Sequence, residues 1–245
     1  MFSSSATSQL FDEMKVIKSR RTPENNDKTD LELVFLTWQS YNQTKVDGIN
    51  SIARVPDQTT DFFAHISKKF KKELKASTNN IIQFGISLGR FFEKSKLLSR
   101  NIIGYDYSPI AINHITSKKI QGRLVNLNEI DNQTNELACH KLLTTDLATA
   151  AEILIIRTLE CLTPEAVVLL IQTILDLAKV GSTIYIETWQ GEKETITGRS
   201  IPERYIASFF APRTDIDFKL WEFLLDDDPD AKPMESINRL IVRKR

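Results

Sequence analysis

Gln83-Phe84-Gly85-Ile86-Ser87-Leu88-Gly89-Arg90 is the stretch on which the fold turns. It follows a short apolar run, Ile81 to Phe84, and leads into Gly89 to Leu98, which reads as a helix. A glycine-bearing turn between strand and helix lets backbone approach a ligand closely, and the helix N-terminus favours polar or anionic groups. Ile102 to Tyr107 is a second strand carrying Asp106, 21 positions after Gly85. A carboxylate there can accept hydrogen bonds from both hydroxyls of a ribose. Ser108-Pro109 then opens a helix through about Lys119, with serine at the cap and proline at the first helical position. Ser108 is the better cap, which releases Asp106 for a ligand.

Outward from this core the alternation continues. Arg123 to Leu127 reads as a third strand, and Asn128 to Thr145 is polar and poorly patterned. Glu152 to Thr158 is a fourth strand. A helix from Thr163-Pro164-Glu165 runs to Ala178 and is stopped by Gly181, and Ser182 to Trp189 is a fifth strand. Strands alternating with helices imply a parallel sheet, and near-continuous apolar strands imply helices on both faces. Asp217 to Leu225 and Ile237 to Arg243 are joined by a loop without a helix, so they pair antiparallel. The expected fold is α/β: a Rossmann-like, doubly wound, mostly parallel seven-stranded sheet with an antiparallel C-terminal hairpin. Residues 1–76 form a helical extension or lid, and 77–245 form the main domain. Within the extension, Phe62, Phe63, Ile66, Phe70 and Leu74 mark one apolar helix face, and the lysines around them a solvated one.

Composition narrows the function. Thirty-two basic residues balance thirty-two acidic ones, so no global attraction to a polyphosphate backbone exists and nucleic acid is not the expected partner. No apolar run reaches the length of a membrane span, and the polar, serine-rich start is no secretory signal. Cys139 and Cys161 make no disulfide framework, which points to the cytoplasm. No metal is expected. Cys139-His140 lacks a second ligand pair, and Asp226-Asp227-Asp228-Pro229-Asp230 lacks calcium-loop spacing and reads as a solvated hairpin loop.

Residues 80 to 189 resemble the core of class I S-adenosylmethionine-dependent methyltransferases. Their glycine loop is mirrored by Gln83 to Arg90 and their acidic second strand by Ile103 to Ser108. Their fourth-strand turn is mirrored by Ile155 to Leu162, and the turn before their fifth strand by Lys179-Val180-Gly181-Ser182. The resemblance implies S-adenosylmethionine as cofactor and methyl transfer to a small or medium-sized acceptor. It implies that backbone at Gly85, Ile86 and Ser87 lines the methionine part, with Gly89 allowing close packing. Asp106 would hold the ribose, and Tyr107 would cover the adenine. Asn126 and Leu127 would meet the adenine edge, with Asn128 as an alternative polar contact. Arg157 and Thr158 would sit near the methyl group, unless Arg157 serves a structural ion pair. Trp38, Tyr41, Glu160, Glu187 and Trp189 are the candidates on the acceptor side. No catalytic base is assigned.

Three positions depart from the family. Gln83 replaces the usual acid, so it can hydrogen-bond an ammonium group but not neutralise it. Ser87 replaces the middle glycine, where a positive φ would be strained. Glu160 stands where many members carry histidine. These departures motivate an alternative, a binding or scaffold protein that keeps the fold without catalysis. Two other readings are weaker. A serine hydrolase built on Gly85-Ile86-Ser87-Leu88-Gly89 needs a late histidine, and only His114 and His140 follow. A nicotinamide dehydrogenase needs a glycine spacing this loop lacks.

Overall fold

The computed structural model describes residues 80–95, 97–98, 101–190, 201–224 and 236–245. The N-terminal extension with Trp38 and Tyr41, and the acidic stretch 226–230, lie outside the described residues. In chain order the described elements are β1 (Asn80–Phe84), α1 (Arg90–Ser95), β2 (Ile102–Asp106), α2 (Pro109–Ser117) and β3 (Gln121–Leu124). A small hairpin of β4 (Ile130–Asp131) and β5 (Glu136–Leu137) precedes α3 (His140–Leu147). Then come β6 (Ala150–Ile156), α4 (Pro164–Leu177), β7 (Thr183–Gln190), α5 (Glu203–Phe210), β8 (Ile216–Leu224) and β9 (Ser236–Lys244).

Seven strands form one sheet in the order β3-β2-β1-β6-β7-β9-β8. β1 pairs in parallel with β2 and β6, β2 with β3, and β6 with β7. β9 runs antiparallel to both β7 and β8. This is the doubly wound, mostly parallel sheet with an antiparallel C-terminal hairpin that the sequence implies. The strand order reverses between β1 and β6, and a crevice opens at the carboxyl ends of strands at such a switch point.

The central strands are buried because helices cover both faces. On one side Ile82, Phe84, Tyr105, Ile153, Ile155, Ile184 and Ile186 pack with α3, α4 and α5. On the other, Ile81, Leu154, Ile156 and Tyr185 pack with Phe91, Phe92 and Ile115 from α1 and α2. Alternate residues of one strand therefore feed two separate cores. Helix starts follow their caps: Ser108 Oγ accepts from the Ala111 amide at 3.3 Å, and Thr163 Oγ1 from the Ala166 amide at 3.2 Å.

Local boundaries differ from the sequence reading most clearly in three places. β3 ends at Leu124, so Val125 to Leu127 belong to the loop that follows it. The segment 128–145 contains the β4–β5 hairpin and most of α3. Helix α4 ends at Leu177 with Ala178 already extended, and Gly181, at φ +86°, makes the turn into β7 rather than the helix stop.

Candidate functional site

The loop after β1 is built on three left-handed residues, Gly85 (φ +63°), Ser87 (+49°) and Gly89 (+69°). Two are glycines, which bear that conformation without a Cβ penalty; Ser87 is not. A Cβ on Gly85 would overlap the Thr158 hydroxyl, so β1 and β6 meet at this turn only because position 85 has no side chain. Thr158 Oγ1 donates to the Phe84 carbonyl at 2.9 Å, which fastens the turn after β6 to the end of β1. Within the loop the Ile86 amide donates to the Tyr105 carbonyl at 3.1 Å, and the Gly89 amide to the Ile86 carbonyl at 3.0 Å.

Asp106 closes the loop from the neighbouring strand. Its Oδ2 accepts from the Ser87 amide at 2.8 Å and its Oδ1 from the Ser108 amide at 2.9 Å. The carboxyl is buried, and burial raises its pKa above the ordinary carboxylate value although the backbone amides of Ser108, Ser87 and Tyr107 act against it. Each carboxylate oxygen retains a further lone pair. Tyr107, next in the chain, is half-buried, and burial followed by the nearby Asp106 charge raises its hydroxyl pKa.

A cleft of about 370 Å³ lies against Tyr107 and is lined by Leu124, Val125, Asn126, Glu129, Ala138 and Cys139. Tyr107 and Asn126, read from sequence as adenine neighbours, thus share one cavity. Leu127 instead packs into the apolar core beneath. Asn128 is committed elsewhere: its Oδ1 accepts from the Thr163 amide at 2.6 Å and its Nδ2 donates to the Cys161 carbonyl at 3.3 Å. Asn126 Oδ1 accepts from the Asn128 amide at 3.1 Å, which shapes the loop over the cleft. Glu129, Ala138 and Cys139 were not legible as lining residues, because the small β4–β5 hairpin that delivers them carries no periodic signal.

At the end of β6 the chain turns through Arg157, at φ +55°. Its amide donates to the Glu187 carbonyl at 3.0 Å, tying the ends of β6 and β7 together. Its Nε donates to Glu160 Oε1 at 2.9 Å, so Arg157 does make an ion pair within its own turn. Glu160 and Glu187 are both buried, at 3% and 2% exposure, near the carboxyl ends of β6 and β7. Trp189 lies at the end of β7, opposite Ile237 of β9. Gln83 sits one residue before the end of β1 and is 4% exposed; its Oε1 is buried without a hydrogen-bond partner among the described residues.

The loop, Gln83, Asp106, Tyr107, Asn126 and Arg157 therefore stand at the carboxyl ends of four adjacent strands. Trp38 and Tyr41 lie outside the described residues. Among the described residues no group of three or more His, Cys, Asp or Glu is placed to hold a metal ion, and no helix is long and apolar enough to cross a membrane.

No family model matches the chain, and no curated protein matches it. Solved structures do. Magnesium protoporphyrin IX methyltransferase from Synechocystis, with bound S-adenosylhomocysteine, aligns at a TM-score of 0.59 and 9% identity, over 88% of this chain and 100% of that one. The same enzyme with bound S-adenosylmethionine aligns at 0.55 and 10% identity, over 90% and 100%. The 1,6-didemethyltoxoflavin-N1-methyltransferase of Burkholderia thailandensis aligns at 0.54 and 9% identity, over 95% and 96%. At these identities the likeness is one of fold: the chain has the fold of class I S-adenosylmethionine-dependent methyltransferases.

Proposed function

We propose that this protein binds S-adenosylmethionine and transfers its methyl group to a small or medium-sized acceptor. The observation that carries the reading is the loop from Gly85 to Gly89, fixed by Asp106 at the point where the strand order reverses. The residues present fit the cofactor. Gln83 Oε1 is a buried acceptor without a partner at the end of β1, suited to an ammonium donor. The missing Cβ at Gly85 lets Thr158 pack against the turn between β1 and β6, which sets the shape of the loop. Asp106 has lone pairs left for two ribose hydroxyls, and Tyr107 with Asn126 lines a cleft suited to a flat base.

When bound, the cofactor supplies a methyl group already activated by its sulfonium. The chain then has to orient and to exclude water. Asp106 and the backbone of the loop line one reactant, and the ends of β6 and β7 wall the other. Glu160, Glu187 and Trp189 are the acceptor-side residues of this reading. No base is assigned, since one is needed only where the acceptor must first lose a proton. The acceptor is proposed as a small molecule, and the compartment as the cytoplasm.

Gln83 also supports a second reading, a binding protein that keeps the fold without catalysis, because a neutral amide gives up the ion pair an acid would make. Two experiments separate these readings. Titration with S-adenosylmethionine, with NAD as control, tests the cofactor. Transfer of a labelled methyl group to a panel of small acceptors tests catalysis. No binding by a well-folded sample, or binding with no transfer to any acceptor in the panel, favours the second reading, and NAD binding in place of S-adenosylmethionine contradicts the cofactor.

A further inference from the structure

Arg157 has one edge in use and one edge open. Its Nε is held by Glu160 at 2.9 Å, while the Glu160 side chain is 2% exposed and that of Arg157 22%. No hydrogen bond reaches Nη1 or Nη2 from any described residue. A guanidinium is a planar fork whose second edge stays suited to a carboxylate after the first is pinned. The residue also holds a left-handed backbone at φ +55°, a conformation costly for a long side chain and concentrated where function fixes it. The position matters as well: Arg157 lies two residues past the Phe84–Ile155 pair, beside the loop after β1.

We propose that the open edge of Arg157, held by Glu160 in the turn after β6 beside the β1–β6 switch point, receives a carboxylate of a bound molecule. The inference rests on the reading above and extends it, since it assigns a charge to what arrives there. A carboxylate can come from the methionine end of the cofactor or from the methyl acceptor. In both cases Glu160 acts as a positioning residue: it holds Nε and fixes the plane of the fork.

Calorimetry on the full chain tests this with S-adenosylhomocysteine and its decarboxylated counterpart, and NMR titration with benzoate on protein saturated with S-adenosylhomocysteine tests the acceptor side. The chief variant is Arg157→Lys, which leaves Glu160 a cation and so protects folding; an unchanged urea midpoint verifies that. Arg157→Gln, which strips Glu160 of its cation, serves as the harsher companion. If the methionine end is the source, wild type prefers the carboxylated nucleoside by about tenfold to a hundredfold, as one charge-assisted pair provides, and Arg157→Lys loses most of that preference. If the acceptor is the source, the nucleoside preference survives the substitution and benzoate binding disappears. Arg157→Lys matching wild type in both measurements overturns the inference and leaves the cofactor reading standing. Wild type binding neither nucleoside overturns both.

Discussion

Asp106 Oδ2 accepts the Ser87 amide at 2.8 Å, so the residue that ends β2 also fixes the middle of the loop that follows β1. The two parts of the proposed nucleotide site are thereby one unit: what would hold a ribose also holds the loop that would lie beside the methionine. This coupling sets the pH behaviour of the site.

Burial raises the Asp106 pKa above its unfolded value. A carboxyl with a raised folded pKa contributes stability that is complete below the unfolded pKa and is lost as pH rises through the folded one. Asp106→Asn removes that dependence. Urea midpoints of wild type and Asp106→Asn should therefore change relative to each other on acidification, with wild type gaining. Cofactor affinity should run the other way, because ribose hydroxyls need the ionised form as acceptor, and should fall as pH drops through the raised pKa. Parallel changes in the two quantities would contradict this account of Asp106.

Gly85→Ala should destabilise the fold. The added Cβ meets the Thr158 hydroxyl and stands at φ +63°. Left-handed backbone and overpacking together cost about 2 kcal/mol or more. A loss below about 0.5 kcal/mol in urea unfolding would mean that the close approach of Gly85 and Thr158 is not as described.

Ser87→Gly should act in the opposite direction. The serine occupies φ +49°, and glycine relieves that strain by up to about 1 kcal/mol, less its own entropy on folding. The expected result is a stability equal to or above wild type with cofactor affinity preserved, since the amide that meets Asp106 remains. A marked loss of affinity would show that the Ser87 side chain contributes to the site.

Away from the site, Tyr105→Phe tests the support under β2. Tyr105 Oη donates to Asp146 Oδ2 at 2.6 Å, and Arg123 Nε reaches the same oxygen at 3.0 Å. Asp146 is 5% exposed, so it depends on both partners. A hydrogen bond to a buried charged group contributes about 1.5–3 kcal/mol, and the variant should lose that order of stability without a direct effect on cofactor affinity. An unchanged urea midpoint would contradict the role.

Much of this was legible in the sequence, for physical reasons. β1, β2, β6 and β7 are covered on both faces, so each reads as an apolar run, and the caps Ser108 and Thr163 announced their helices. β3 was not legible. It is an edge strand with polar Gln121 and Arg123, while Val125 to Leu127, which read as its end, belong to the loop. The β4–β5 hairpin is too short for any periodicity. Helix α3 lacks a side-chain cap at Cys139 and buries Asp146 beside Leu143 and Leu147, which blurs its apolar face. At the site, Asp106 and the loop followed from strand–turn–helix spacing. An ion pair for Arg157 showed only as one option among two, and Glu160 as its partner not at all, because a pair three residues apart depends on how the chain turns after the strand.

The loop and Asp106 are proposed together as the site of the S-adenosyl nucleoside. The most direct measurement is calorimetric titration of the full chain with S-adenosylhomocysteine, run beside Asp106→Ala. The account predicts micromolar binding by wild type and a clear loss in the variant. Equal affinities in the two proteins would contradict the assignment of Asp106, and no binding by well-folded wild type would contradict the site itself.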